Sequence, residues 1–185
     1  MQNKIKIGLI GAGTVGSGAY KVLKENFAEI YRKTGKLFEA AMVVGGLLSN
    51  QSQTVINTLQ ICGKELGMAY QIVDDVLDYS SSFEVMGKDV GDDLSEGKVT
   101  LPMIYALERA TPDMQDIISQ AILKKDSKDA EKIIACIQST GSIASSINDA
   151  RDKTEFALHS MQSLDNSKYK KALISLAEIF LHRTY

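Results

Sequence analysis

QIVDDVLDY, residues 71–79, sets three aspartates into a run that otherwise reads as protein interior. Ile72, Val73, Val76 and Leu77 are apolar, as is much of ICGKELGMAY (61–70) just before them. An uncompensated buried carboxylate costs on the order of several kcal/mol, so the acids require an opposite charge. At about 100° per residue, Gln71, Asp74 and Asp78 fall within about 60° of one another, and Asp75 about 40° beyond. Leu66, Tyr70, Val73 and Leu77 take the neighbouring face, and Ile72 and Val76 the rear. A helix apolar nearly all round, with one narrow acidic stripe, belongs inside a bundle with its acids toward a cavity. The i,i+4 pair Asp74/Asp78 suits a hard cation. Magnesium takes one or two carboxylates and completes its shell with water and phosphate oxygens.

The next segment supplies the matching charge. MGKDVGDDLSEGKVTLP (86–102) carries Lys88 and Lys98 flanking Asp89, Asp92, Asp93 and Glu96. Ammonium groups beside a carboxylate-bound metal make a site for a polyanion, since both meet phosphate oxygens. Upstream, Lys33 and Thr34 add another ammonium and a hydroxyl donor.

Composition narrows the classes of function. The chain has 185 residues, 44% of them hydrophobic and 24% charged, with a net charge of −2. That balance argues against a broad nucleic-acid footprint. No apolar run is long enough for a transmembrane helix. Cys62 and Cys136 lie far apart in apolar helical contexts and read as buried thiols of a cytoplasmic protein.

Two compositions share the chain. In residues 1–30, KIKIGLI predicts a short strand, GAGTVGSG a turn, and AYKVLKENFAEIY a helix. From about residue 36 onward the pattern predicts helices alone. LFEAAMVVGGLLSN reads as a small-residue helix in which Gly45 and Gly46 permit a close neighbour. Ser52 is placed to cap a long helix ending near Tyr79. Thr100 with Pro102, and Thr111 with Pro112, open two more, and Ser127 opens a third that Gly141 ends. The last two helices are split at Asp165-Asn166-Ser167. His159 and His182 read as helix-surface residues.

KTGKLFEAA, QIVDDVLDY, GKDVGDDLSEGKVTLPMIYAL and SLDNSKYKKALISLAEIFLHR occur in an order and spacing that closely resemble the trans (E)-isoprenyl diphosphate synthases. The likeness is nearest to the long-chain, octaprenyl-type enzymes and runs from about Tyr31 to the C-terminus. It implies an all-α, isoprenoid-synthase-like helical bundle, here partial. It also implies a prenyltransferase that condenses isopentenyl diphosphate with an allylic diphosphate by magnesium-assisted departure of diphosphate. By position in the motifs, Asp74, Asp75 and Asp78 inherit magnesium binding, and Lys33, Thr34, Gln71, Lys88 and Lys98 inherit the allylic diphosphate. Asp74, Asp75, Lys88 and Lys98 would carry the catalysis. The family's first aspartate-rich motif belongs in upstream helices and has no counterpart in residues 1–30. The chain therefore looks like the C-terminal half of a synthase, working as a homo-oligomer (dimer) or as the partner of another synthase chain.

Residues 1–30 resemble something else, the start of homoserine dehydrogenase. Gly11, Gly13 and Gly16 form G-x-G-x-x-G after a predicted strand, the context of a dinucleotide-binding turn. The chain is thus expected to divide into a dinucleotide-binding-like fragment at 1–30 and a helical domain at 31–185. Two rival functions follow: a non-catalytic partner subunit, and an NAD(P)-binding module built on those glycines.

Overall fold

A computed structural model describes residues 15–80, 92–95, 98–124 and 128–182. Among these residues the regular structure is entirely helical. Helix α1 spans Val15–Leu48 and α2 Gln53–Ser80, and a short α3 follows at Asp92–Ser95. Next come α4 (Leu101–Arg109), α5 (Pro112–Lys124), α6 (Ala130–Ser139) and α7 (Ser142–Ser160). A 3-10 turn at Met161–Ser163 leads to α8 (Lys168–His182). No described helix is long and apolar enough to cross a membrane.

Helix α2 is the centre, which explains why its sequence is apolar on so many sides. Its last turn brings Tyr79 into a core with Leu94, Met103, Ile104, Ile118, Ile133 and Ile137. Its middle packs Met68, Ala69, Ile72 and Val73 against Tyr31 of α1, Leu101 of α4 and Ala150 of α7. Its first half sets Cys62 and Leu66 against Ala157, Met161 and Ala177. Three hydrophobic clusters thus draw on one helix.

Glycine sets how closely α1 and α2 approach. A Cβ on Gly67 would lie 2.8 Å from the Cα of Gly35, and one on Gly63 would lie 2.7 Å from the carbonyl oxygen of Phe38. Only hydrogen fits at either place. Gly46 also faces α2 closely, while a Cβ on Gly45 would meet nothing within 4 Å.

The expected starts and stops hold in part. Ser52 Oγ accepts the Val55 N–H at 3.4 Å, and Ser167 Oγ accepts the Lys170 N–H at 3.1 Å. Gly141, with φ +67°, separates α6 from α7. Thr100 precedes α4 as expected, but its hydroxyl does not cap the helix. It donates instead to the buried Tyr79 hydroxyl at 3.1 Å. The helix anticipated from Ser127 starts at Ala130, after Asp129.

The expected N-terminal dinucleotide-binding fragment finds no support. Helix α1 runs without interruption from Val15 through Lys33, Thr34 and Gly35 to Leu48. The expected strand, with Gly11 and Gly13, lies outside the described residues, and Gly16 sits in the first turn of α1. A dinucleotide site requires a parallel sheet, and no strand occurs among the described residues.

Candidate functional site

The three aspartates of α2 do not share one environment. Asp74 is exposed, Asp75 is 1% exposed, and Asp78 is half-buried. Asp74 and Asp75 are neighbours in sequence, yet a turn of about 100° between them sends one outward and the other between helices.

Asp75 is the hub. Its Oδ2 accepts the hydroxyl of Tyr31, and that hydroxyl in turn accepts the backbone N–H of Leu101 at 2.9 Å. Its Oδ1 accepts Lys98 Nζ at 2.8 Å and Gln71 Nε2 at 2.9 Å. Thr34 Oγ1 donates to Gln71 Oε1 at 2.8 Å. Four of the residues assigned to diphosphate and metal by sequence, Thr34, Gln71, Asp75 and Lys98, therefore form one connected network across α1, α2 and the segment before α4.

Lys98 is held from a second side, with Asp93 Oδ1 and Oδ2 each 3.0 Å from its ammonium. Burial alone would pull that ammonium down, but the hydrogen bonds and charges of Asp75 and Asp93 outweigh it and push it up to about 12. Lys98 is a fixed cation at any physiological pH. Burial drives the Asp93 carboxyl up to about 6, against the opposing pull of Lys98. Burial, reinforced by the charge of Asp75, also raises the Tyr31 phenol well above its ordinary range, which keeps it a donor. The backbone N–H of Asp93 reaches Asp78 Oδ2 at 3.2 Å and ties α3 to the end of α2.

The remaining assigned residues fall differently. Lys33 is exposed on α1, one position before Thr34. Lys88, Gly11 and Gly13 lie outside the described residues. Among the described residues no group of three or more acidic, histidine or cysteine side chains converges on a metal-sized point. The donor chemistry at Asp74 and Asp78 still suits magnesium in its usual manner, with one or two carboxylates and the rest of the shell from water and phosphate.

Two members of the network were not singled out from sequence. Tyr31 stands 44 residues from Asp75, and no periodicity links them. Asp93 was one acid among several in a polar segment; its spacing of five residues from Lys98 was the only signal it carried.

The chain matches the polyprenyl synthetase family profile over residues 18–140. Octaprenyl diphosphate synthase of Haemophilus influenzae is 37% identical over 157 residues, covering 84% of this chain and 48% of that protein. The Escherichia coli octaprenyl diphosphate synthase is 36% identical over 164 residues, covering 88% and 51% respectively. A decaprenyl diphosphate synthase structure from Rhodobacter capsulatus matches with a TM-score of 0.79 at 28% identity, covering 92% of this chain and 57% of that one. A polyprenyl synthase from Caulobacter crescentus, complexed with calcium and isoprenyl diphosphate, matches with a TM-score of 0.79 at 27% identity, covering 92% and 56%. The fold is that of the isoprenoid synthases. The chain spans about half the length of the relatives it matches. The homoserine dehydrogenase likeness finds no support, and the family match begins at residue 18, inside the segment once assigned to it.

Proposed function

This chain belongs to the polyprenyl synthetase family, and from that premise we propose that it serves trans-prenyl transfer, the condensation of isopentenyl diphosphate with an allylic diphosphate. Because it spans about half of its relatives, the proposal assigns it the part that grips the allylic diphosphate. A second acidic set then comes from another chain or segment.

The observation that carries this reading is the meeting of Lys98 and Gln71 on one buried carboxylate, beside the exposed Asp74. Lys98 offers a permanent positive charge to phosphate oxygens, with Lys33 and Lys88 as further ammonium groups. The Thr34–Gln71 bond holds the Gln71 carboxamide in one orientation. Asp74, with Asp78 one turn on, would hold magnesium. Bound there, magnesium supplies Lewis acidity to the departing diphosphate. An apolar surround would keep water from the reacting carbon. The setting is cytoplasmic.

Calorimetry with farnesyl diphosphate tests the proposal. Binding is expected to require magnesium and to fall at least about tenfold in Asp74→Ala, a loss of about 1.4 kcal/mol. Binding indifferent to both overturns it.

A second reading, a partner subunit with no turnover of its own, is favoured by one observation. Leu37, Val44, Leu47 and Leu48 are exposed on α1, an apolar surface of the kind that marks association. A radiolabelled isopentenyl transfer assay separates the readings, since sustained elongation by this chain excludes the second.

A further inference from the structure

Building on the diphosphate-gripping role just described, we infer that Asp75 is a positioning residue rather than a metal ligand, with Tyr31 as the clamp that aims it. Its task is to hold Lys98 and Gln71 in register for a phosphate group.

The argument starts from lone pairs. An ionised carboxylate offers about four acceptor directions. On Asp75, Tyr31 takes one at Oδ2, and Lys98 and Gln71 take two at Oδ1. At 1% exposure the group has no open side by which a hydrated ion enters. Magnesium binds oxygen at about 2.0–2.1 Å and gives up its waters reluctantly. To reach Asp75 it must evict the Lys98 ammonium and strip its own shell. Breaking a buried ion pair leaves an uncompensated charge, a strongly unfavourable exchange. Asp74, next in sequence and exposed, presents none of these obstacles.

Tyr31 fixes the direction of the carboxylate. Its hydroxyl has one hydrogen. Because the oxygen already accepts the Leu101 N–H, that hydrogen points to Asp75. One phenol thus ties α1, α2 and the start of α4 to a single carboxylate oxygen.

Lys98 shows what the arrangement leaves for a ligand. Its ammonium has three N–H donors. Asp75 Oδ1 and the two Asp93 oxygens draw on all three, and the side chain keeps 34% exposure. A phosphate oxygen arriving from that exposed side takes over one of the two bonds that Asp93 now shares. The two adjacent aspartates therefore divide the labour: Asp74 meets a cation and Asp75 steers a lysine.

Reductive methylation of the ligand-free chain, followed by mass spectrometry, tests the clamp. Lys98 is compared with Lys153, which Glu65 holds at 3.1 Å and which serves as the reference for any loss of folding. The Lys98-to-Lys153 rate ratio is expected to rise at least about fivefold in Asp75→Asn and about twofold in Tyr31→Phe, as a released ammonium becomes a mobile surface group. It should stay unchanged in Asp74→Asn. A ratio unmoved in both Asp75→Asn and Tyr31→Phe overturns the inference.

Titrations with Mn2+ and with inorganic pyrophosphate test the division of labour. Asp75→Asn should keep its Mn2+ affinity within about threefold while losing about tenfold for pyrophosphate; Asp74→Asn should lose Mn2+. Equal loss of Mn2+ in both variants overturns the inference. A parent chain that binds neither probe counts against the diphosphate-gripping role, and the methylation ratio still decides the clamp.

Discussion

Thr34 Oγ1 donates to Gln71 Oε1 across 2.8 Å, joining α1 to α2 one turn from the Asp75 carboxylate. The bond constrains the Gln71 carboxamide so that its Nε2 faces Asp75 Oδ1. Thr34→Val removes the donor while keeping the shape. It should cost about 0.5–1.5 kcal/mol of stability, the worth of one half-buried hydrogen bond. Pyrophosphate affinity should fall with it, and Thr34→Ser should restore both. Urea denaturation and calorimetry on the two variants check this.

Gly67 and Gly45 should respond in opposite directions to the same added methyl. At Gly67 the new Cβ meets backbone on α1 at 2.8 Å, so α1 and α2 must separate, at roughly 1–3 kcal/mol. At Gly45 the Cβ meets nothing within 4 Å, and Gly45→Ala should stabilise the helix by up to about 1 kcal/mol. Urea midpoints of the two variants, compared with the parent, give the signs.

The thiols should be slow. Cys62 is fully buried, and burial pushes its pKa up to about 11. At pH 8.5 less than about 1% of it is thiolate, the reactive form. Burial also raises Cys136, though that side chain is only half-buried. An aromatic disulfide reagent should therefore modify Cys136 first, and Cys62 only after denaturant is added. Raising the pH from 7 to 9 should speed the reaction at Cys136, since a raised thiol pKa leaves the thiolate still accumulating over that range.

The outer face of α1 should drive association. Leu37, Val44, Leu47 and Leu48 are 70%, 51%, 55% and 81% exposed, recurring along one side of the helix. Water-exposed leucines in such a line favour contact with another apolar surface. Sedimentation velocity of the parent chain is expected to show species larger than a monomer. The double variant Leu37→Lys/Leu48→Lys should shift them toward monomer.

The aspartate helix was legible in sequence because the second half of α2 is enclosed, with Asp74 the one exposed residue between 65 and 79. Lys98 and Gln71 were read as holders of a diphosphate, and their meeting on the Asp75 carboxylate was not legible. Nor was the division between Asp74 and Asp75. A helical wheel gives their angular difference, but the crossing of α1 and the path of residues 98–101 decide which side is enclosed. Gly35 was not singled out, for a related reason. It stays helical within RKTGK and serves a backbone contact with Gly67, which only the crossing of the two helices reveals. Thr100 looked like a cap because its own neighbours suggest one, but the hydroxyl it satisfies belongs to Tyr79, 21 residues away.

The Gly35–Gly67 contact reaches beyond stability. Lys33 and Thr34 ride on one jaw of that crossing, Gln71 and Asp75 on the other, within about two turns of the pivot. A single carbon inserted there would work as a shim that widens the gap and moves Lys33 and Thr34 away from Gln71 and Asp75. On the proposed diphosphate role, affinity for the anion would be tunable from two positions that carry no side chain at all, the aperture being encoded by missing atoms rather than by any attraction.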